Sequence, residues 1–185
     1  MDIGGRGNTL RMRQLQAAFA AAWAEATGML FTGRATLDFP EDGDVQAGLL
    51  YATPTMGTTA AERFIALSIG GATKTLYMTN AYFVPDDNFV GLLSEAATRG
   101  VDVRVLTAGD ATDMRVVRMA GRAQYEALLS AGVRIYEWQS TVIHAKTFVV
   151  DGLWSTVGSM NFDNRSLALK HESTLMIWTP TSVLG

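Results

Sequence analysis

The stretch of sequence that decides the fold is VIHAKTFVVDGLWSTVGSMNF, residues 142–162. Its β-branched and apolar residues predict a strand over 142–150. Asp151 and Gly152 form a turn signal, so the chain is expected to return as a second strand over 153–157. Two strands joined by so short a turn form a hairpin, which predicts that the sheet is antiparallel near this end.

Helices and strands alternate in the rest of the chain. Apolar residues at helical spacing predict helices over 9–26, over 59–69, from Asp86 or Asp87 to Gly100, and over 114–131. Shorter apolar or alternating runs predict strands over 48–53, 75–79, 101–106, 133–138 and 174–178. The alternation predicts an α/β fold, with a mixed, mostly parallel β-sheet flanked by helices in an α-β-α sandwich.

Length and composition set the class of protein. The 185 residues suit one domain over 1–185, with an entry helix and linker in 1–58 and a core in 59–185. A hydrophobic share of 48% with 18% charged residues is sufficient for a folded core. The sequence has no cysteine, which excludes disulfides, a thiol nucleophile and cysteine metal sites. A net charge of -3 and a pI near 5.3 argue against broad electrostatic binding to nucleic acid, although a local basic pocket stays compatible with them.

Neither a signal peptide nor a membrane span is predicted. Residues 1–8 are rich in glycine and have no apolar core. The uncharged stretch 45–61 is too short and too polar to cross a bilayer. The chain is therefore expected to be soluble, or peripheral to a membrane.

The strongest chemical signal is the pattern H-x-K-x4-D-x6-G-S-x-N, which runs from His144 to Asn161. Side chains two positions apart on a strand point to the same face, so His144 and Lys146 are expected to share one pocket. A buried strand rarely places both an imidazole and an ammonium on its inward face without a functional reason. The pattern therefore predicts a site.

The residue types in this pattern suit phosphoryl chemistry. A neutral imidazole at His144 can attack phosphorus and form a covalent phosphohistidine, and Lys146 supplies a fixed positive charge for the phosphoryl oxygens. Ser159 and Asn161 can donate hydrogen bonds to those oxygens, after a glycine that lets the backbone come close. Asp151 either orients the site or is simply the first residue of the Asp-Gly turn, and the residues alone leave both readings open.

This motif resembles the signature of the phospholipase D superfamily, and the rest of the chain resembles the second half of bacterial cardiolipin synthases. Four further stretches carry the resemblance: YFVPD at 82–86, AATRGVDV at 96–103, AGVRIYEW at 131–138 and GSMNFDNRS at 158–166. The opening segment 15–28 is similar to the one that follows the first motif of that family. The resemblance thus covers nearly the whole chain.

The resemblance implies a pocket built from two such motifs, in which one histidine is the nucleophile and the other protonates the leaving alcohol. His144, Lys146 and Asp151 match one motif as its catalytic residues, and Ser159 and Asn161 match its phosphate-binding extension. No metal and no cofactor is implied, since lysines and hydrogen-bond donors hold the phosphate.

The resemblance also implies roles for residues outside the motif. Glu172 matches a downstream acid that would orient the histidine of the partner motif. Asp163 and Arg165 match the N-x-D-x-R-S run, for which local ion pairs and turn capping are the alternative. Tyr82 and Asp86 match the segment that lines the substrate side, with core packing and helix capping as their alternatives.

The chain departs from the family pattern at three places. Ala81 stands where proline is usual, and Lys170 stands where asparagine is common. The third departure is larger, because there is no second motif: His171 has no lysine two positions on and is interpreted as a structural histidine. The chain is therefore expected to be the C-terminal half of a two-motif enzyme, as a fragment, or a natural single-motif protein that forms a dimer.

The expected function is phosphatidyl transfer through phosphohistidine, either to an alcohol, as in cardiolipin synthesis, or to water, as in phospholipase D hydrolysis. Little or no activity is expected from this chain alone, because the general acid is missing. The alternatives are a homodimeric phosphodiesterase or nuclease, and a non-catalytic lipid-binding remnant. Expected partners are an anionic phospholipid like phosphatidylglycerol and a second motif from missing N-terminal sequence or another chain, with no nucleic acid. The expected location is the cytoplasmic face of a bacterial inner membrane.

Overall fold

The computed structural model describes residues 8–30, 46–52, 60–163 and 171–178. Helices and strands alternate along these ranges as expected. In chain order the elements are α1 Asn8–Thr27, β1 Gln46–Ala52, α2 Ala60–Gly71, β2 Thr75–Asn80, α3 Asp87–Thr98, β3 Asp102–Ala108, α4 Arg115–Arg122, α5 Tyr125–Ser130, β4 Arg134–Trp138, β5 Lys146–Val150, β6 Trp154–Gly158 and β7 Glu172–Trp178.

The strands form one sheet in the order β1-β7-β6-β5-β2-β3-β4, which confirms the mixed α/β fold. The expected parallel majority is wrong. Within the described residues only β2–β3 and β3–β4 are parallel, and the other neighbouring pairs are antiparallel. Parallel neighbours need a crossover, which α3 supplies before β3 and α4–α5 supply before β4. β5 instead enters beside β2 in the opposite direction, and β6, β7 and β1 continue the antiparallel order.

The hairpin between β5 and β6 forms at the predicted turn. Asp151 and Gly152 both have left-handed backbones, with φ of 54° and 68°. The first strand is shorter than predicted, because β5 begins at Lys146 rather than at residue 142. Its partner β2 ends at Asn80, directly opposite Lys146, so the residues before Lys146 have no β2 residue to pair with.

One face of the sheet carries the core, which α2, α3 and α5 cover. Leu76 on β2, Leu93 on α3 and Leu128 on α5 are fully buried. The helix predicted over 114–131 is wrong as a single element, because α4 and α5 contact different neighbours. Leu128 anchors α5 in the core, whereas Gly121 of α4 lies so close to the Phe83 carbonyl oxygen that a Cβ there would be 2.2 Å from it. In the part of the chain that the structure describes, no helix has the length and apolar character needed to span a bilayer.

Candidate active site

One edge of the sheet gathers most of the predicted site residues. β2 ends there at Asn80, β5 begins there at Lys146, β6 ends there at Gly158 and β7 begins there at Glu172. This edge also holds the carboxyl ends of the parallel strands β3 and β4. In α/β sheets, loops at the carboxyl ends of parallel strands are the usual place for a ligand site.

His144 and Lys146 are neighbours at this edge but differ in exposure. Lys146 is 7% exposed, whereas His144 lies in the segment before β5 and is exposed. The Lys146 Nζ donates a hydrogen bond of 2.8 Å to the His144 carbonyl oxygen. The expectation that both side chains lie inward on one strand is wrong, because the strand begins only at Lys146. The arrangement presents an imidazole to solvent and places a buried ammonium against its backbone.

The Tyr82 ring contacts both members of this pair. It meets the His144 ring edge-on, with centroids 5.9 Å apart and planes at 76°, and the Lys146 Nζ lies 5.7 Å from its centroid. The Tyr82 hydroxyl donates to both carboxylate oxygens of Asp113, each at 2.8 Å. Burial, together with the hydrogen bond and charge of Asp113, raises the pKa of Tyr82 to about 12, so the phenol stays a hydrogen-bond donor.

Asn80 is a site residue that the sequence analysis missed. It is 5% exposed and lies in register with Lys146 on the neighbouring strand. Its Oδ1 accepts from the backbone nitrogens of Phe162 at 3.0 Å and Tyr82 at 3.3 Å, and its Nδ2 donates to the Met160 carbonyl oxygen at 3.4 Å. Asn80 thereby joins the end of β2 to the loop that carries Asn161. The available signal was a polar residue on the buried face of an alternating strand, directly before the Y-F-V-P-D segment.

Ser159 continues the pairing of β6 with β7 beyond Gly158. Its backbone nitrogen donates to the Ser173 carbonyl oxygen at 3.1 Å, and its Oγ accepts from the Ser173 nitrogen at 3.0 Å. Gly158 is required for the close approach of the two strands, since a Cβ there would lie 2.5 Å from the Ser173 oxygen. The glycine was expected to bring the backbone close to phosphate; in the structure it brings β6 close to β7. Ser159 is exposed at this edge, whereas Asn161 is buried.

Glu172 and Thr174 lie on one face of β7 and are both buried, at 5% and 3% exposed. Thr174 lines a small cavity of about 30 Å³ together with Lys146 and Asn80. Its Oγ1 makes no hydrogen bond within the described residues. Glu172 is therefore brought to the same edge as Lys146, as the site prediction requires, and its proposed role toward a partner histidine stays a prediction.

Asp151 lies at the other edge of the sheet. β5 spans five residues, about 17 Å, between it and the His144 end. The Asp151 carboxylate accepts hydrogen bonds from Thr73 N and Oγ1, Lys74 N and Thr75 N, at 2.7 to 2.9 Å. Burial raises the pKa of Asp151, but these hydrogen bonds together lower it to about 2. The structure does not bring the Asp151 carboxylate to His144 and Lys146: it ties the β5–β6 turn to the start of β2, and a catalytic role for Asp151 stays a prediction.

The remaining candidates flank the site. Asp86 is the N-cap of α3, where its Oδ1 accepts from the Phe89 nitrogen at 3.0 Å. Asp163 is half-buried and forms an isolated parallel bridge with Val84, which places its segment beside the residues that follow Tyr82. Arg165 lies outside the described residues.

The second histidine of the sequence is engaged in structural contacts. His171 Nδ1 is 3.0 Å from the Tyr51 hydroxyl, and its Nε2 is 3.1 Å from a Glu25 carboxylate oxygen. These contacts connect α1, β1 and the start of β7. They agree with the interpretation of His171 as a structural histidine.

Comparison with known proteins places the chain in a family. The family model described as cardiolipin synthase, PLD-like domain matches residues 65–184. A cardiolipin synthase from Halalkalibacterium halodurans is 31% identical over 177 residues, which cover 93% of this chain and 35% of that protein. Cardiolipin synthase A from Yersinia pseudotuberculosis is 43% identical over 110 residues, which cover 60% of this chain and 22% of that protein. The chain thus spans about a third or less of the length of these relatives.

Solved structures show the same fold at lower identity. The phospholipase D family member Nuc from Salmonella typhimurium matches with a TM-score of 0.58 and 23% identity, over 75% of this chain and 85% of that one. Phosphatidylserine synthase from Haemophilus influenzae matches with a TM-score of 0.57 and 19% identity, over 99% of this chain and 45% of that one. The edge that carries His144 and Lys146 is thus part of a known architecture, and the chain belongs to the cardiolipin synthase family of phospholipase D-like domains.

Proposed function

We propose that this chain carries one half of the active site of a phosphatidyl-transferring enzyme that works through phosphohistidine. The observation that carries the proposal is the exposed His144 imidazole next to the buried Lys146 ammonium. An exposed imidazole can reach the phosphodiester of a lipid headgroup, and a buried cation keeps its charge in place without reorganisation.

The proposed reaction has two displacements at phosphorus. In the first, an imidazole nitrogen of His144 forms a bond to phosphorus, while the bond from phosphorus to the headgroup oxygen breaks and the departing alcohol takes a proton from a general acid. In the second, the hydroxyl oxygen of an acceptor lipid, or of water, forms the new phosphorus–oxygen bond and the bond to His144 breaks, while the acceptor's proton passes to the general acid that gave up its proton in the first step. Lys146, Ser159 and Asn161 stabilise the negative charge on the phosphoryl oxygens.

The general acid of this scheme comes from elsewhere, because His171 contacts Glu25 and Tyr51 and has no motif lysine. We propose that a second motif supplies it, either from a longer protein of which this chain is the C-terminal half or from another chain. The substrate is an anionic phospholipid such as phosphatidylglycerol, met at the cytoplasmic face of a bacterial inner membrane. The length of the relatives, of which this chain covers 35% and 22%, supports the first source.

The test uses a substrate that needs no general acid, a phosphatidyl ester of p-nitrophenol in mixed micelles. Nitrophenolate leaves without a proton, so the first displacement can proceed on the chain alone. We expect a burst of up to one nitrophenolate per chain, no burst from His144→Ala, and an unchanged burst from the matched control His171→Ala. Sustained turnover of phosphatidylglycerol by a homodimer would show that a second copy supplies the acid, and a burst from His144→Ala would refute the proposed nucleophile.

A further inference from the structure

The Tyr82 ring contacts both His144 and Lys146. It meets the imidazole edge-on and lies 5.7 Å from the Lys146 Nζ, within the range of a cation–π interaction. The direction in which the imidazole can turn therefore depends on where this ring is held.

The ring is held at its far end by Asp113, in the loop between β3 and α4. The Tyr82 hydroxyl donates to both Asp113 carboxylate oxygens at 2.8 Å, a charge-assisted contact. Since the pKa of Tyr82 is raised to about 12, the hydroxyl proton stays in place throughout the physiological pH range. The contact spans 31 residues of sequence and joins two loops at the site edge.

The Asp113 side of this contact is itself fixed to the fold. Gly121 of α4 lies against the Phe83 carbonyl oxygen with no room for a Cβ, next to Tyr82 in the chain. Arg118 of α4 is bound to Glu137 of β4 at 2.7 Å and to Asp110 at 2.8 Å. The loop that carries Asp113 is thus bordered by a helix that is docked on both the Tyr82 segment and the sheet.

We propose that Asp113 is a positioning residue, which fixes the Tyr82 ring and through it the orientation of the His144 imidazole beside Lys146. The expected effect on the burst rate rests on the proposed function, whereas the expected effect on the orientation of the His144 imidazole does not. Without the anchor, we expect the ring and the imidazole to sample several orientations, so that the burst with the nitrophenyl ester slows by about 10-fold.

The experiment compares Asp113→Ala and Tyr82→Phe with the control Glu95→Ala, which removes an exposed carboxylate from α3. The sequence contains two histidines, so a protein labelled in its imidazole rings gives one NMR signal set for His144 and one for His171. We expect both test variants to shift and broaden the His144 signals and to slow the burst, with the His171 signals unchanged. Glu95→Ala is expected to leave the burst rate as in the wild type.

The outcomes separate this inference from the proposed function. The positioning role would be overturned if the His144 signals and the burst rate of Asp113→Ala matched those of Glu95→Ala. Changed His144 signals in a chain that gives no burst even as the wild type would support the positioning role and contradict the proposed function. If Asp113→Ala fails to fold, judged by the His171 signals, Tyr82→Phe carries the test, because it keeps the ring and removes the hydroxyl that donates to Asp113. Shifted His144 signals in Tyr82→Phe support the proposal, and unchanged signals overturn it.

Discussion

Lys146 donates a hydrogen bond of 2.8 Å from its Nζ to the carbonyl oxygen of His144. The bond joins the buried cation of the site to the backbone of the exposed imidazole. Because the donor is almost fully buried, its position does not depend on an approaching ligand. The pair is therefore organised before any phosphate arrives.

Replacing Lys146 by methionine tests the function of that charge. The change keeps most of the side-chain volume and removes the ammonium, so we expect the burst with the nitrophenyl ester to slow by roughly 100-fold or more. Lys74→Met is the matched control, since Lys74 is exposed at the opposite edge of the sheet. Equal burst rates in the two variants, measured by stopped-flow absorbance, would mean that the Lys146 charge does not act on phosphate.

Replacing Asp151 by asparagine tests whether this residue acts on stability rather than on the reaction. Asparagine tolerates the left-handed backbone, so the substitution isolates the loss of the carboxylate that accepts the hydrogen bonds from 73–75. We expect the free energy of unfolding at pH 7 to fall by roughly 2–3 kcal/mol, with His144 NMR signals unchanged. Loss of the burst from a fully folded Asp151→Asn protein would instead support a catalytic role for Asp151.

The stabilisation of the fold by the Asp151 carboxylate is expected to depend on pH. The hydrogen bonds hold the pKa of Asp151 at about 2 in the folded protein, against 3.8 for an ordinary aspartate. Its stabilisation is therefore complete above the ordinary value and is lost as the pH falls toward the folded value. Urea unfolding of the wild type and Asp151→Asn should give a difference that is constant from pH 5 to 7 and shrinks between pH 4 and 2. A difference that stays constant down to pH 2 would contradict this assignment.

Alanine substitutions at two glycines, Gly158 and Gly91, are expected to change the free energy of unfolding in opposite directions. At Gly158 a Cβ would lie 2.5 Å from the Ser173 oxygen, so alanine must push β6 and β7 apart, at about 2–4 kcal/mol of unfolding free energy. At Gly91, within α3, a Cβ would meet nothing within 4 Å, and alanine should stabilise the helix by about 0.5–1 kcal/mol. Chemical denaturation of both variants measures the two signs, and a neutral Gly158→Ala would refute the close approach.

Asn80 is predicted to matter for both stability and reaction. Asn80→Ala leaves the buried backbone nitrogen of Phe162 without its acceptor and removes the hydrogen bonds that hold the loop carrying Asn161. The free energy of unfolding should therefore fall by roughly 2–3 kcal/mol. The burst should also slow, because Asn80 positions Tyr82 through the Tyr82 backbone nitrogen. Asn88→Ala, at an exposed position, is the control. Asn80→Ala should lose more unfolding free energy and more burst rate than Asn88→Ala, and equal losses would contradict the prediction.

The local sequence predicted the elements of the fold better than their pairing. The Asp151-Gly152 hairpin and the Asp86 cap depend on short-range preferences, and both form where expected. The balance of parallel and antiparallel pairs depends on which strands become neighbours, and the insertion of β5 beside β2 is not visible in any local pattern. The start of β5 at Lys146 follows from the end of β2 at Asn80, again a long-range effect.

The site was predictable where it lies in the motif and not where distant loops meet. The pattern brought His144, Lys146, Ser159 and Asn161 to one edge, but it could not show that Asp151 lies at the other end of β5. It also could not show Asp113, which reaches Tyr82 from a loop 31 residues away. Such contacts depend on tertiary packing, for which the spacing of residues carries no signal.

The most direct test of His144 as the nucleophile is to locate the phosphatidyl group on the chain after the first displacement. The chain is mixed with the nitrophenyl ester and the reaction is quenched in alkali, because a phosphorus–nitrogen bond to histidine survives in alkali. The protein is then digested, and tandem mass spectrometry identifies the modified residue. We predict an adduct on His144 in the wild type and in His171→Ala, either phosphatidyl or, where the alkali has hydrolysed the acyl esters, glycerophosphoryl. An adduct on any other residue, or none in a chain that has released nitrophenolate, would contradict it.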